Sequence, residues 1–227
     1  LLRFSTERYW MLETIREYAR ERLDEARETD ALARRHADHH LALLEDRQPL
    51  MYGSGRRELL AWFGEEEDNL RATLDYLEGA APPDAARAAE LLMSFWGPRG
   101  RLVEGQERLL RLLARTDLAA GTRAVLLEHL SDTELSMGQI DSAESHAQEA
   151  VTLAQESGER RTLAFALRHL AWVASHRGEY DEAIRAITRV LEEAADDEWV
   201  RALALGDLAS FQMEAGRDEE ARRLFQE

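Results

Sequence analysis

The segment RRHADHH, residues 34–40, brings His36, His39 and His40 together, and His36 and His40 stand four positions apart. That is the spacing at which two imidazoles on one helical face share a zinc ion. The glutamate that acts as general base in an H-E-x-x-H site is missing, because Ala37 follows His36, and the chain has no cysteine. GEEEDN, residues 64–69, offers carboxylates for a cation, but consecutive side chains on a helix diverge and do not converge on one ion. It reads as a solvated turn favoured by the helix dipole. MYGSGRR, residues 51–57, has the glycines of an anion loop but neither the spacing nor the lysine of a phosphate-binding loop. Tyr52 also stands where a G-x-S-x-G nucleophile elbow needs its first glycine. Every basic residue other than histidine is an arginine, which excludes a Schiff-base lysine as well as a P-loop lysine. No catalytic residue, metal site or cofactor site is expected, and the chain reads as a non-enzyme.

The elements that would position any site are helical. The 227 residues are 44% hydrophobic and 33% charged, with only four prolines. Alanine, leucine, glutamate and arginine dominate, and runs of alternating β-branched residues are missing. A net charge of −16 disfavours contact with the phosphates of nucleic acid or with an anionic membrane surface. No apolar stretch approaches the roughly 20 residues of a membrane-spanning helix. LLRFSTERYW, at the start, lacks the apolar core of a secretory leader, so a cytoplasmic location is expected.

Three stretches follow one plan: MGQIDSAESHA at 137–147, RGEYDEAIRAI at 177–187 and AGRDEEARRLF at 215–225. Each has a glycine and, five positions later, an alanine. The glycines Gly100, Gly138, Gly178 and Gly216 recur at intervals of roughly 38, 40 and 38 residues, the length of a stacked supersecondary unit. Around Gly178, one amphipathic stretch presents Leu167, Leu170, Ala171 and Ala174 on a single face. The next presents Tyr180, Ala183, Ile184, Ile187, Val190 and Leu191. Gly178 suits a tight helix-to-helix turn because it accepts positive φ. Neither helix can bury its face alone, so neighbouring pairs must stack.

This pattern resembles the tetratricopeptide repeat, W-x2-L-G-x2-Y followed by A-x3-F. The leucine position is taken by Leu92, Leu130, Leu170 and Leu208. The alanine position is taken by Gly105, Ala143, Ala183 and Ala221, and the large-residue position by Leu109, Ala147, Ile187 and Phe225. The terminal proline is absent, Trp96 is the aromatic of the first helix, and Glu134 occupies the corresponding place in the second unit. The resemblance implies an all-α fold, a TPR-like right-handed α-α superhelix of helical hairpins, with a short non-helical remnant at the N-terminus. The expected repeats cover about 85–122, 123–161, 162–200 and a truncated 201–227. GAAPPD at 79–84 marks the break before them, and 31–84 reads as a helical hairpin around a RQPLMYGSG loop, a candidate diverged first repeat of the same solenoid. The sequence stops at RLFQE, inside a second helix where a polar capping helix would normally follow, so it reads as a piece of something longer.

Residues 8–23, RYWMLETIREYARERL, carry Leu12, Ile15, Ala19 and Leu23 as a helical stripe. With Arg35-His36-Ala37 and Asp68-Asn69-Leu70-Arg71-Ala72-Thr73-Leu74, they resemble the region after the nucleotide-binding module of bacterial STAND (NB-ARC-like) ATPase transcriptional regulators. The LuxR-like and SARP-like regulators of actinobacteria belong to that group. In this reading residues 1–30 end a winged-helix segment, and the ATP-binding and DNA-reading parts lie outside these 227 residues. The chain would be a regulatory arm that binds protein, peptide or another part of its own chain. A small-molecule effector site is the alternative, and a generic scaffold the plainest one.

In the tetratricopeptide fold the first helix of each unit lines a concave groove. The resemblance implies that Phe165, Arg168, Trp172, Ser175 and His176 face it in the third unit, and Glu128 and Asp132 in the second. Aromatic, basic and acidic groups at three- and four-residue spacing share one helical face and suit a peptide anchor. The competing reading packs Trp172 against the neighbouring unit and leaves Arg168 solvated.

Overall fold

The computed structural model describes residues 2–5, 8–52, 55–97, 100–194 and 196–224. Phe225 and Gly53 fall outside them. Two short antiparallel strands, β1 (Leu2–Ser5) and β2 (Arg8–Met11), pair with Leu2 opposite Met11. They lead into α1 (Glu13–Ala26), which buries none of its residues fully. A hairpin follows, formed by α2 (Thr29–Arg47), a 3₁₀ turn (Gln48–Tyr52) and α3 (Arg56–Ala80). The rest is a run of paired helices. They are α4 (Pro82–Trp96) with α5 (Leu102–Leu113), α6 (Ala120–Ser136) with α7 (Ile140–Ser157), α8 (Arg160–His176) with α9 (Tyr180–Glu193), and α10 (Glu198–Glu214) with α11 (Asp218–Leu224).

The repeated glycines make the same turn four times. Gly100, Gly138, Gly178 and Gly216 have φ of 68, 74, 77 and 74°, in the left-handed region that closes a helix. Each turn also repeats one pair of bonds. Gly178 N–H donates to Ser175 O and Glu179 N–H to Ala174 O; Gly138 and Gln139 do the same to Leu135 and Glu134, and Gly216 and Arg217 to Met213 and Gln212. The break at GAAPPD is shorter than its composition suggests. Only Ala81 leaves the helical region (φ −148°, ψ 74°), and Pro82 opens α4 at once, as its missing N–H allows. Asp197 caps α10 by accepting the Val200 N–H at 3.1 Å.

The first helices stack in a row, α2 on α4, α4 on α6, α6 on α8 and α8 on α10, while each second helix packs on the first helix of the next pair. The chain is a solenoid of helical hairpins. Its core is continuous from Leu44, Phe63, Leu92 and Phe95 to Leu109 and Leu130. It resumes from Ala164 and Leu167 through Ile187 to Val200 and Phe211, with Leu127, Ala150 and Ala166 between. The small positions at the seam, Ala143, Ala183 and Ala221, are buried. In the first pair Gly105 takes that place, and a Cβ there would come within 3.1 Å of Trp96 Cε3. The indole fills the volume that an alanine methyl occupies elsewhere.

The blocks that stand out in the N-terminal third fasten helices to one another. His36 Nε2 meets Asn69 Oδ1 at 3.5 Å, and His40, buried, turns Nε2 to Glu66 at 3.7 Å. Arg71 forms a two-pronged bond to Glu104, with both distances 2.8 Å, and Arg108 sits 2.8 Å from Asp75 and 2.9 Å from Glu78. These arginine–carboxylate pairs tie α3 to α5. GEEEDN is not a solvated turn: it lies in the middle of α3, away from the helix end, and its acids diverge, Glu66 accepting from Asn69 at 2.5 Å while Glu67 meets Arg71 at 2.8 Å and Arg101 at 2.5 Å. Among the described residues no helix is long and apolar enough to cross a membrane.

Candidate functional site

The stacked first helices leave a hollow of about 750 Å³. Its walls come from α2, the 3₁₀ turn, α3, α4, α6, α8 and the first turn of α10. The apolar part is floored by Leu59, Phe63, Met93 and Leu126, with Phe165 and the partly exposed Trp199 at the side. The polar part is built from repeat-equivalent positions. Val125, Glu128, His129 and Asp132 on α6 correspond to Phe165, Arg168, His169 and Trp172 on α8, in the same three- and four-residue steps. Glu90 joins them from α4.

The electrostatics of this polar wall follow from burial. Glu128 is 6% exposed. Desolvation lifts its carboxyl to about 7 against the attraction of His169, and the nearby Asp132 and Glu90 push the same way. Partial desolvation also pulls the exposed Asp132 upward. The hydrogen bond from His169 and the charges of His169, His129 and Arg168 outweigh it and hold the carboxyl at about 2. Burial lowers the His129 imidazole, against Glu90 and Asp132. His169 is buried, with Nε2 3.4 Å from Asp132 and 3.6 Å from Glu128. Its Nδ1 has no hydrogen-bond partner among the described residues.

Of the seven residues expected to face a groove, Phe165, Arg168, Glu128 and Asp132 line this hollow, and Trp172, Ser175 and His176 do not. The next repeat engages two of those three. Trp172 packs edge-to-face on Phe211 of α10, with ring centroids 5.0 Å apart and planes at 75°. Ser175 donates its hydroxyl to Glu214 Oε2 at 2.5 Å. His176 Nδ1 lies 2.8 Å from Trp172 O, within its own helix. Arg168 lines the hollow but is not simply solvated, because Nε and Nη2 both bond Asp207 of α10. Arg161 stands over the Phe165 ring at 5.9 Å.

The sequence reading missed His129, His169, Glu90 and Trp199. Both histidines could have been found, since His169 lies four positions after Phe165 and three before Trp172, and His129 is its counterpart one repeat earlier. Glu90 and Trp199 gave no such signal. The wall from α2 and α3 depends on how a non-repeated hairpin packs, and no local spacing encodes that. Among the described residues no group of three or more His, Cys, Asp or Glu side chains is arranged to hold a metal.

Residues 122–193 and 174–227 match two family models described as tetratricopeptide repeat, and this part of the chain consists of such repeats. Proteins of Mycobacterium tuberculosis (H37Rv) and Mycobacterium bovis, provisionally named HTH-type transcriptional regulators, are 30% identical over 204 residues. The match covers 85% of this chain and 23% of theirs, so the chain spans about a quarter of the relatives' length. Among solved structures, BtubC (BKLC) from P. vanneervenii superposes with a TM-score of 0.62 at 17% identity, covering 91% of this chain and 88% of that one. A Podosopora anserina protein with nearly identical TPR-like repeats, provisionally named a kinesin light chain, gives 0.58 at 16% identity over 87% and 92%. These likenesses show the solenoid fold.

Proposed function

We propose that the chain is the non-catalytic, protein- or peptide-binding arm of a larger ATP-dependent transcriptional regulator, and that contacts in its hollow control activation. The observation that carries the binding part is the hollow itself. Four of the residues expected to face a groove line it, and it joins apolar floor to charged wall, as peptide anchors require. The regulatory part is supported by the mycobacterial relatives, whose name is that of a regulator. The ATPase context is supported by the resemblance of the three N-terminal blocks. Control then works by population shift: an occupant that prefers one arrangement of the arm moves the whole protein toward it.

The test is site-specific photocrosslinking in the full-length regulator. A p-benzoylphenylalanine in place of Trp199, at the side of the hollow, is compared with one in place of Val103, which is exposed on α5. Crosslinks to a polypeptide, either another part of the same chain or a second protein, are expected at 199 and not at 103. Absence of any polypeptide crosslink at 199 defeats the reading.

The size of the hollow favours one second reading. A volume of 750 Å³ falls within the roughly 300–1,000 Å³ of small-ligand sites, so a metabolite effector is the alternative. Screening metabolites by thermal shift separates the two, because a ligand that binds only the folded chain raises its melting temperature.

A further inference from the structure

The cations that line the hollow are largely spoken for. Arg87 is paired with Glu45, Arg161 lies 3.5 Å from Asp197, and Arg168 is paired with Asp207. Arg56, in the first turn of α3, and Glu159 are both exposed and stand at the rim. Apart from Arg168, already bonded to Asp207, the acids of the polar wall meet only imidazoles among the described residues. Glu90 has neither an ion pair nor a hydrogen bond among the described residues. Glu128 and Asp132 face His129, which burial holds toward its neutral form, and His169. Nε2 of His169 donates to Asp132, and its Nδ1 is unbonded among the described residues, so no second group anchors the ring. The wall therefore carries an excess of negative charge in a partly desolvated place, where a cation is worth more than in water.

We propose that the hollow takes a basic side chain of a peptide, its ammonium or guanidinium set among Glu90, Glu128 and Asp132, with an apolar neighbour resting on Leu91, Phe165 and Trp199. This deepens the peptide-binding reading above and rests on it. The charge of the whole chain, −16, acts in the same direction by steering basic partners toward the surface. Every titratable group that faces Glu128 takes part: Glu90 from α4, His129 and Asp132 from α6, and Arg168 and His169 from α8. An arriving cation favours the ionised carboxylate, so binding near neutral pH releases a proton from Glu128.

The experiment is selection of a displayed random heptapeptide library on the 227-residue chain, followed by titration calorimetry. Selected peptides are expected to place Lys or Arg beside an apolar residue. Replacing that Arg by citrulline, or that Lys by acetyl-lysine, is expected to weaken binding about tenfold or more. Glu128→Gln and Asp132→Asn are each expected to do the same while circular dichroism stays unchanged. Asp132 is exposed, so its variant keeps the test decisive should Glu128→Gln unfold. The binding heat should depend on the ionisation enthalpy of the buffer for the parent chain and not for Glu128→Gln. Enrichment of acidic or uncharged peptides overturns the inference and leaves the peptide-binding reading standing. Agmatine binding as tightly as the selected peptide also overturns the inference, and counts for the small-molecule reading instead. Failure to select any peptide, together with no polypeptide crosslink at 199, removes both.

Discussion

His146 on α7 places Nδ1 2.7 Å from Oε2 of Glu134 on α6, and Glu134 is 2% exposed. Glu134 stands where the repeat pattern has an aromatic, and Gln106 of the preceding pair reaches its other oxygen at 3.4 Å. A polar knot thus replaces a ring at the seam between two units. Removing one partner of a buried pair leaves the other unsatisfied, at a cost of about 1–3 kcal/mol. Replacing both by apolar groups of similar size is often neutral or stabilising. His146→Ala is therefore expected to lower stability by about 1–3 kcal/mol. Glu134→Met with His146→Leu should stay within about 1 kcal/mol of the parent. Urea denaturation of the two variants measures this.

Gly178 holds φ at 77° with nothing within 4 Å of the place a Cβ would occupy. Crowding is therefore not the issue, and only the backbone conformation opposes a side chain there. Gly178→Ala is expected to lose about 1–2 kcal/mol, seen as a lower urea midpoint with unchanged slope. Gly138→Ala sits in an equivalent, separate turn and should add to it.

Trp172 and Phe165 share one helical face, yet the ring of Trp172 is committed to Phe211. Trp172→Ala is expected to lose about 2–4 kcal/mol, near the lower part of the range for large aromatics because the indole is partly exposed. Phe165→Ala should cost less in stability and act on binding. If Trp172→Ala instead weakens peptide binding while the melting curve stays put, Trp172 is an anchor after all.

The course of the helices was legible because it rests on local chemistry repeated at a fixed interval. Glycines of positive φ, small seam residues and paired apolar faces leave a period that needs no long-range information. The hollow was half legible through the resemblance: it implies that Phe165, Arg168, Glu128 and Asp132 face a groove, and spacing only keeps each set on one face of α6 or α8. What spacing cannot give is which neighbour a side chain meets. Phe211 and Asp207 belong to the next unit, so the packing of Trp172 and the pairing of Arg168 appear only when α8 and α10 are stacked. The floor from Leu59 and Phe63 depends in turn on how the unrepeated α2–α3 hairpin closes over α4.

Glu128 makes stability depend on pH in a direction opposite to an ordinary carboxylate. Its folded pKa, about 7, lies above the ordinary value of 4.5, so between those limits the folded chain holds a proton that the unfolded chain has released. The contribution of Glu128 then falls as pH rises from 4.5 toward 7 and levels off above, against the rise contributed by His36 and His129, whose imidazoles burial lowers. Glu128→Gln keeps the neutral form at every pH and is expected to remove that decline, with a gain on the order of 1–3 kcal/mol above neutrality. Asp132, held at about 2 against an ordinary 3.8, acts the other way. Its contribution is complete above 3.8 and is lost as pH falls through 2, so Asp132→Asn should blunt the acid limb only. Urea titrations of the parent and the two variants from acid to mildly alkaline pH resolve both limbs. Parallel profiles for the parent and Glu128→Gln from 4.5 to 7 would show that Glu128 is ionised in the fold and that the wall is better compensated than its geometry indicates.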